Sequence, residues 1–333
     1  HSRAGALERL SPPWDPLQVI EARGGIDKGA RVILKMKAGP IPYQWIAEHT
    51  DYKENRLFRD RQVKGPLAHW VHTHRFEPDG ENACFLEDRI DYALRVHPFG
   101  HFFVGDMVRN KLETIFHYRH TTTARDIAAD LAGRERPANI LISGASGVVG
   151  SALIPFLTTG GHRVTRLIRR PPGPKEKAVY WNPEAGHLNG DDLNGIDTII
   201  HLAGENIGQG RWTRAKKKKI IESRVNGTSL IANAAAALRP LPKVMICASA
   251  IGYYGDRGEQ IMTEKEKPGD DFISEVCYEW EKAAAPAIEK GIRVIFLRIG
   301  IALTPAGGAL ERLLLPFQMG LGGKMGSGHQ YMS

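Results

Sequence analysis

Asn139-Ile140-Leu141-Ile142-Ser143-Gly144-Ala145-Ser146-Gly147-Val148-Val149-Gly150 is the stretch on which the reading of this chain turns. A short apolar run, Ile140 to Ile142, gives way to glycines at every third position. A helical pattern follows through Ala152, Leu153, Phe156 and Leu157. Such a run suits a parallel strand buried on both faces. Gly144 and Gly147 let the backbone turn tightly and approach a pyrophosphate where a Cβ would stand in the way, and Gly150 lets the helix pack close to the sheet. The phosphates would sit at the helix N-terminus, on backbone N–H groups around Ser146, Val148 and Val149, where the helix dipole favours negative charge. G-x-x-G-x-x-G differs from the commoner G-x-G-x-x-G, and glycine spacing alone is a weak signal.

The segments that follow strengthen it. A second strand, Arg163 to Ile168, ends in Arg169-Arg170, about 20 residues past the glycines, where the dinucleotide fingerprint places its ribose-reading residue. An acid there would bind a 2′-hydroxyl. Two guanidiniums suit a 2′-phosphate, because the planar fork donates in bidentate fashion. The expected cofactor is NADP(H) over NAD(H). The alternative reading makes Arg169 and Arg170 solvated loop charges before Pro171-Pro172.

Apolar runs then alternate with helical patterns: Ile140 to Ser143, Arg163 to Ile168, Ala178 to Trp181, Asp197 to Ala203, Lys243 to Ser249 and Arg293 to Ile299. Six strands with intervening helices predict an α/β fold, a doubly wound parallel Rossmann sheet over residues 139–333. Residues 1–122 read differently. Period-two stretches, Arg31 to Lys37, Gln44 to His49, Leu57 to Val63, Trp70 to Phe76 and Cys84 to Val96, are separated by Gly39-Pro40, Gly65-Pro66 and Pro78-Asp79-Gly80, which predicts an antiparallel sheet. From Phe103 to His120 the period changes, and Val104, Met107, Val108, Leu112, Ile115 and Phe116 fall on one side of a long helix. Residues 123–138, rich in Arg, Ala and Asp and ending at Pro137, read as a linker.

A chain of 333 residues accommodates two such cores. The net charge of +8 is spread along it apart from one run, Arg211 to Lys219. That run precedes Ile220, Ile221, Val225, Leu230 and Ile231 at helical spacing, so Lys216 to Lys219 read as the solvated face of a helix opening, with no aromatic-interleaved platform for nucleic acid. Three scattered cysteines, Cys84, Cys247 and Cys277, point to reduced thiols and a cytoplasmic location. No stretch is long and apolar enough for a membrane span.

The end of the fourth Rossmann strand, His201-Leu202-Ala203-Gly204-Glu205-Asn206, and of the fifth, Ala248-Ser249-Ala250-Ile251-Gly252-Tyr253-Tyr254-Gly255, resemble the corresponding turns of extended short-chain dehydrogenase/reductases. Together with Arg211-Trp212, Ser223-Arg224, Trp280-Glu281, Leu314-Leu315-Pro316-Phe317 and the glycines from Gly320 to Gly328, they resemble one atypical subfamily, the epimerase family proteins sometimes labelled cell-division inhibitors. In many bacteria these are fused behind a START-like domain. The resemblance covers nearly all of 139–333 and implies cofactor contacts for Gly144, Gly147, Gly150, Arg169, Leu202, Ala203 and Arg224, with Gly204 and Arg170 beside them. By pattern, residues 1–122 resemble START-like helix-grip domains of the polyketide cyclase and lipid-transfer type, an α+β module holding an apolar ligand. Both resemblances imply missing pieces: an N-terminal strand before Ala6 to Leu10, and a substrate lobe beyond Tyr331-Met332-Ser333.

The wider superfamily catalyses with a Tyr four residues before a Lys, whose cation lets the phenol exchange a proton at neutral pH. Aligned on Glu281, this chain has Ile273 and Cys277 at those positions, and Ala250, preceded by Ser249, at the strand serine. Tyr253 and Glu205 are the candidate catalytic residues, Tyr254 reads as packing, and Cys277 as a buried thiol or a reactive one. His72 and His74 share one strand face, but with no third ligand evident no metal is predicted. The expected function is an NADP(H)-binding oxidoreductase or epimerase acting on a small carbonyl or sugar-like substrate. The rival is a catalytically weak module that senses NADPH or holds an apolar ligand.

Overall fold

The computed structural model describes residues 1–38, 41–95, 101–133, 137–324 and 326–329. Gly39-Pro40, Val96 and the last three residues lie outside them. The chain divides into two compact units, His1–Arg134 and Glu135–Ser333.

The first unit opens with one helical turn, α1 (Ala6–Arg9), followed by β1 (Gln18–Arg23), β2 (Arg31–Ala38), β3 (Ile41–Lys53), β4 (Leu57–Lys64), β5 (His69–Asp79) and β6 (Ala83–Ala93). Each strand pairs antiparallel with its sequence neighbour, giving a six-stranded meander. β1 escaped the sequence reading because a register shift between Val19 and Glu21 breaks its alternation. One long helix, α2 (His101–Gly133), follows and continues through residues read above as linker. Ala124, Ala128, Ala129 and Ala132 are strong helix formers, and Arg9 clamps Asp126 through two bonds of 2.7 Å. The inward stripe of α2 runs through Val108, Leu112, Ile115 and Phe116. Met107, expected on that stripe, sits on its flank and is 64% exposed.

The interior of this unit is unusually polar. Leu10, Leu34 and Phe58 are buried, but so are His72, Thr73, His74 and Thr122. Burial pushes the His74 imidazole down to about 3, so it is neutral at neutral pH. Burial also raises the Asp60 carboxyl above its ordinary value.

The second unit is a doubly wound sheet. β7 (Asn139–Ser143), α3 (Val148–Thr159), β8 (Arg163–Ile168), β9 (Ala178–Asn182), β10 (His187–Leu188), β11 (Thr198–His201), α4 (Arg214–Ala237), β12 (Val244–Ala250), α5 (Phe272–Lys282), α6 (Ala285–Glu289), β13 (Arg293–Ile299) and α7 (Gly308–Gln318) follow in order. The sheet order is β10-β9-β8-β7-β11-β12-β13. The six expected strands are parallel, and the short β10 adds an antiparallel edge to β9. Alternate residues of β7 serve opposite faces. Ile140 and Ile142 pack with Leu157 of α3, while Leu141 packs with Ile231, Ala232 and Ala235 of α4. The chain leaves β7 toward β8 on one side and reaches β11 on the other, so the sheet order reverses beside the end of β7, where a crevice for a ligand forms in such folds.

Candidate cofactor-binding site

At the end of β7 the backbone turns through Gly144 at φ +72°. A Cβ there would lie 2.7 Å from the Leu202 carbonyl carbon and 2.8 Å from the Ala203 nitrogen, so the turn and the end of β11 are in direct backbone contact. A Cβ on Gly150 would collide with the Gly144 carbonyl oxygen. Gly147 is the N-cap residue of α3, and among the described residues no side-chain cap bond takes the N–H groups of that first turn. Beyond it α4 and α5 are capped, Thr213 accepting from Lys216 N and Asp271 from Ser274 N, while α7, behind Gly307, has no side-chain cap either. Ser146, Gly147 and Val149 are exposed and Gly150 is buried. Unclaimed donors at a helix N-terminus, reached over bare glycine backbone, can hold a diphosphate.

Beneath this turn lies a pair that the sequence reading missed. The Ser143 Oγ stands 2.6 Å from His201 Nδ1 and accepts from the backbone N–H groups of Leu202 and Ala203 at 3.2 and 3.3 Å. With two donors on the oxygen, the hydroxyl gives its own proton to the imidazole. Burial holds His201 down to about 4, in keeping with a neutral ring. The two residues occupy the ends of neighbouring strands, 58 residues apart in sequence, so no local motif announces them.

The arginines expected to read a phosphate have different surroundings. Arg170 is bound by Glu176 at 2.7 and 2.8 Å and by the Pro171 carbonyl. The Arg170 hydrogen bonds hold the Glu176 carboxyl down to about 2. Arg169 is exposed and has no side-chain hydrogen bond or ion pair among the described residues. Glu205 is ion-paired with Lys216 at 2.7 Å and Lys219 at 3.8 Å. The Lys216 hydrogen bond, with Lys219 and Arg169 also contributing, holds its carboxyl below the ordinary range. A carboxylate so stabilised is a poor proton donor and a weakened base, which argues against a general-acid role. Lys216 and Lys219 therefore face Glu205, and Lys217 lies over the Phe272 ring, so the basic run is not simply a solvated face. Arg224 donates to the carbonyls of Ile220 and Glu205, stacks 4.8 Å above Trp280 and backs the chain at Gly204. It braces the loop that carries Leu202, Ala203 and Gly204.

At the end of β12 a second missed cluster assembles. Arg298 of β13 makes two 2.9 Å bonds to Glu281 of α5, donates to the Tyr254 hydroxyl oxygen at 3.0 Å, and lies 3.5 Å over the Tyr253 ring. Ser249 donates to Glu281 at 2.7 Å. The signal was present in sequence as Arg298, set among apolar residues of the strand Arg293–Ile299, since a charge in a half-buried strand requires a partner. Tyr254 thus does more than pack: its oxygen already accepts a charge-assisted bond. Cys277 is buried and burial raises its thiol, so it is not a thiolate nucleophile.

Residues 140–300 match the model of the NAD dependent epimerase/dehydratase family. A solved nucleoside-diphosphate sugar epimerase from Corynebacterium glutamicum superposes with a TM-score of 0.81 and 34% identity, covering all of this chain and 68% of that one. The chain belongs to the NAD dependent epimerase/dehydratase family. Within it, an epimerase family protein of Mycobacterium bovis is 40% identical over 194 residues, 58% of this chain and 64% of that protein. Human epimerase family protein SDR39U1, solved with NADPH, is 34% identical at a TM-score of 0.53 over 58% of this chain and 64% of its own. This family member spans 64% of the length of the curated mycobacterial and human relatives. Among the described residues, no helix is long and apolar enough to cross a membrane.

Proposed function

We propose that this chain carries the NADP(H)-binding half of a cytoplasmic epimerase-like oxidoreductase that acts on a carbonyl or sugar-like small molecule. The uncapped N-terminus of α3 behind Gly144 and Gly150 carries the reading, with unpaired Arg169 at the ribose-reading position beside it. The cofactor's chemistry would be hydride transfer. Ser146, Gly147, Val148, Val149 and Gly150 would present backbone to the diphosphate, Leu202, Ala203 and Gly204 would wall the crevice, and Arg169 would face the 2′-phosphate. NADPH in the human relative supports this choice.

Proton handling falls to the end of β12. Tyr254 accepts from Arg298, which leaves its O–H to donate to a substrate oxygen; Tyr253, under the same guanidinium, is the alternative phenol. In this reading Arg298 supplies the cation that the absent Lys would have supplied. Glu205, tied to two lysines, organises the loop.

The helix-grip reading of the first unit, with an apolar ligand, is supported by an antiparallel meander followed by a 33-residue helix. The rival, a sensor with little turnover, is favoured by one observation: Ile273 and buried Cys277 stand where the superfamily's phenol and ammonium would be. Fluorescence titration with NADPH and NADH, followed by NADPH oxidation against ketones and nucleotide sugars, tests the proposal. Binding of NADPH ahead of NADH is expected. Failure to bind either cofactor overturns it, and NADPH binding without turnover on the full-length protein selects the sensor.

A further inference from the structure

We propose that Asp60, His72 and His74 form a binding site in the first unit for one divalent transition cation of the zinc class, with Asp88 orienting the histidines. The two histidines alternate along β5, and the strand spacing offered no third ligand. Register supplies it: Asp60 of β4 pairs opposite His72, and Asp88 of β6 pairs opposite His74. Asp60, His72 and His74 each bring one ligand atom within 4.8 Å of the others. Bonds of about 2.0–2.2 Å to zinc require the donors to close in by something on the order of 1 Å, which side-chain rotation provides.

The cluster is already arranged as a ligand shell with its supports. His72 Nε2 is held by Asp88 Oδ1 at 2.9 Å while His72 Nδ1 faces Asp60 Oδ2 at 3.6 Å. A carboxylate on one ring nitrogen fixes the imidazole and leaves the other for a metal. His74 Nδ1 is buried and lies 2.6 Å from the same Asp88 Oδ1, so one carboxylate sits against both rings. Asp60 and Asp88 thus bring two carboxylates to one largely buried cluster, an arrangement that calls for a cation. Arg119 does not fill the need. It is buried near both carboxylates, but its Nε has no partner and it forms no ion pair with either among the described residues.

The donors choose the ion. Two imidazoles and one carboxylate suit zinc, iron or manganese, whereas magnesium and calcium take oxygen shells. Phe58, stacked 3.9 Å from His74, and Phe116, edge-on to His72 at 5.2 Å, wall the site. His120, half exposed and 2.7 Å from Asp88 Oδ2, connects it to solvent.

The test uses the full chain, stripped with a chelator and titrated with Zn2+ and with Co2+, whose visible absorption reports imidazole and carboxylate coordination. One equivalent per chain is expected, with magnesium failing to compete. His74→Phe, which keeps the ring stack, and Asp60→Asn should each abolish the cobalt spectrum in a folded protein, and Asp88→Asn should weaken binding by about 10- to 100-fold. Should a variant fail to fold, wild type decides: Zn2+ should shift the imidazole 15N resonances of His72 and His74. A folded wild type without a cobalt spectrum, metal binding unchanged in both ligand variants, or imidazole resonances of the two histidines unmoved by Zn2+ overturns the proposal.

Discussion

At the end of β7 three glycines leave bare backbone, and Arg169, just past the neighbouring strand β8, has no ion pair among the described residues; at the end of β12 Arg298, Glu281, Tyr254 and Ser249, drawn from three elements and a turn, satisfy one another. Both lie at the C-terminal edge of one sheet. In the proposed reading the first end takes its anion from the cofactor, at the helix N-terminus and at Arg169. The second is internally complete, and a substrate would meet a preassembled network whose members hold each other in place. Binding geometry here is written in what side chains omit, and proton-handling geometry in how they interlock.

Gly144→Val strikes the bare end hardest. A β-branched residue at φ +72°, with its Cβ 2.7 Å from the Leu202 backbone, should cost about 3 kcal/mol or more in urea unfolding and remove NADPH binding. Unchanged stability and affinity would break the comparison.

The support beneath the turn is exposed by pH. His201 is held to about 4 when folded against an ordinary 6.5, so its contribution is complete above pH 6.5 and is lost as pH falls toward 4, where the unfolded chain binds a proton that the folded chain refuses. The total is about 3 kcal/mol. His74 in the first unit acts in the same direction, so the measurement is a difference: His201→Gln should flatten the acid limb of the stability profile for the second unit, and an unaltered limb would remove His201 from this role.

Glu281→Gln leaves Arg298 with half its partners. A loss of about 2 kcal/mol is expected, below that of a fully buried pair because both side chains keep some solvent contact, with NADPH affinity unchanged. A fall in cofactor affinity instead would merge the two ends into one site. The smallest effects separate the neighbouring arginines. Arg169→Ala should weaken NADPH about tenfold, 1.4 kcal/mol, while sparing NADH, and Arg170→Ala should leave the ratio of the two affinities unchanged because Glu176 already holds that guanidinium. Equal effects from both substitutions would restore the pair as a joint phosphate reader.

The sequence made the bare end legible because glycine spacing, strand and helix are contiguous between Asn139 and Leu157, so a local pattern contains the whole device. The six parallel strands were readable for a related reason: burial on both faces makes the central ones near-continuous apolar runs, as in β7 and β11. Arg298 and Glu281 lie 17 residues apart and Ser143 and His201 lie 58 apart, so these partnerships exist only once the sheet has formed. The strand register likewise decides which carboxylate meets His72, and the antiparallel pattern could place β5 without naming Asp60. α2 overran its expected end because an alanine-rich, charged stretch has the composition of both a linker and a helix, and contacts such as Arg9 with Asp126 select the latter.

The Ser143 hydroxyl gives the crevice floor a kinetic property. The Leu202 amide divides itself between the Ser143 carbonyl and hydroxyl, and by engaging the Ala203 amide as well the hydroxyl extends strand-like restraint one residue beyond the backbone ladder. Both amides should exchange with deuterium at rates set by opening of the sheet, on the slow time base of the core, and Ser143→Ala should move that of Ala203 onto the fast time base of a surface loop while Leu202 keeps its bond to the backbone carbonyl. Ligand entry at this edge would then proceed over a floor that does not breathe.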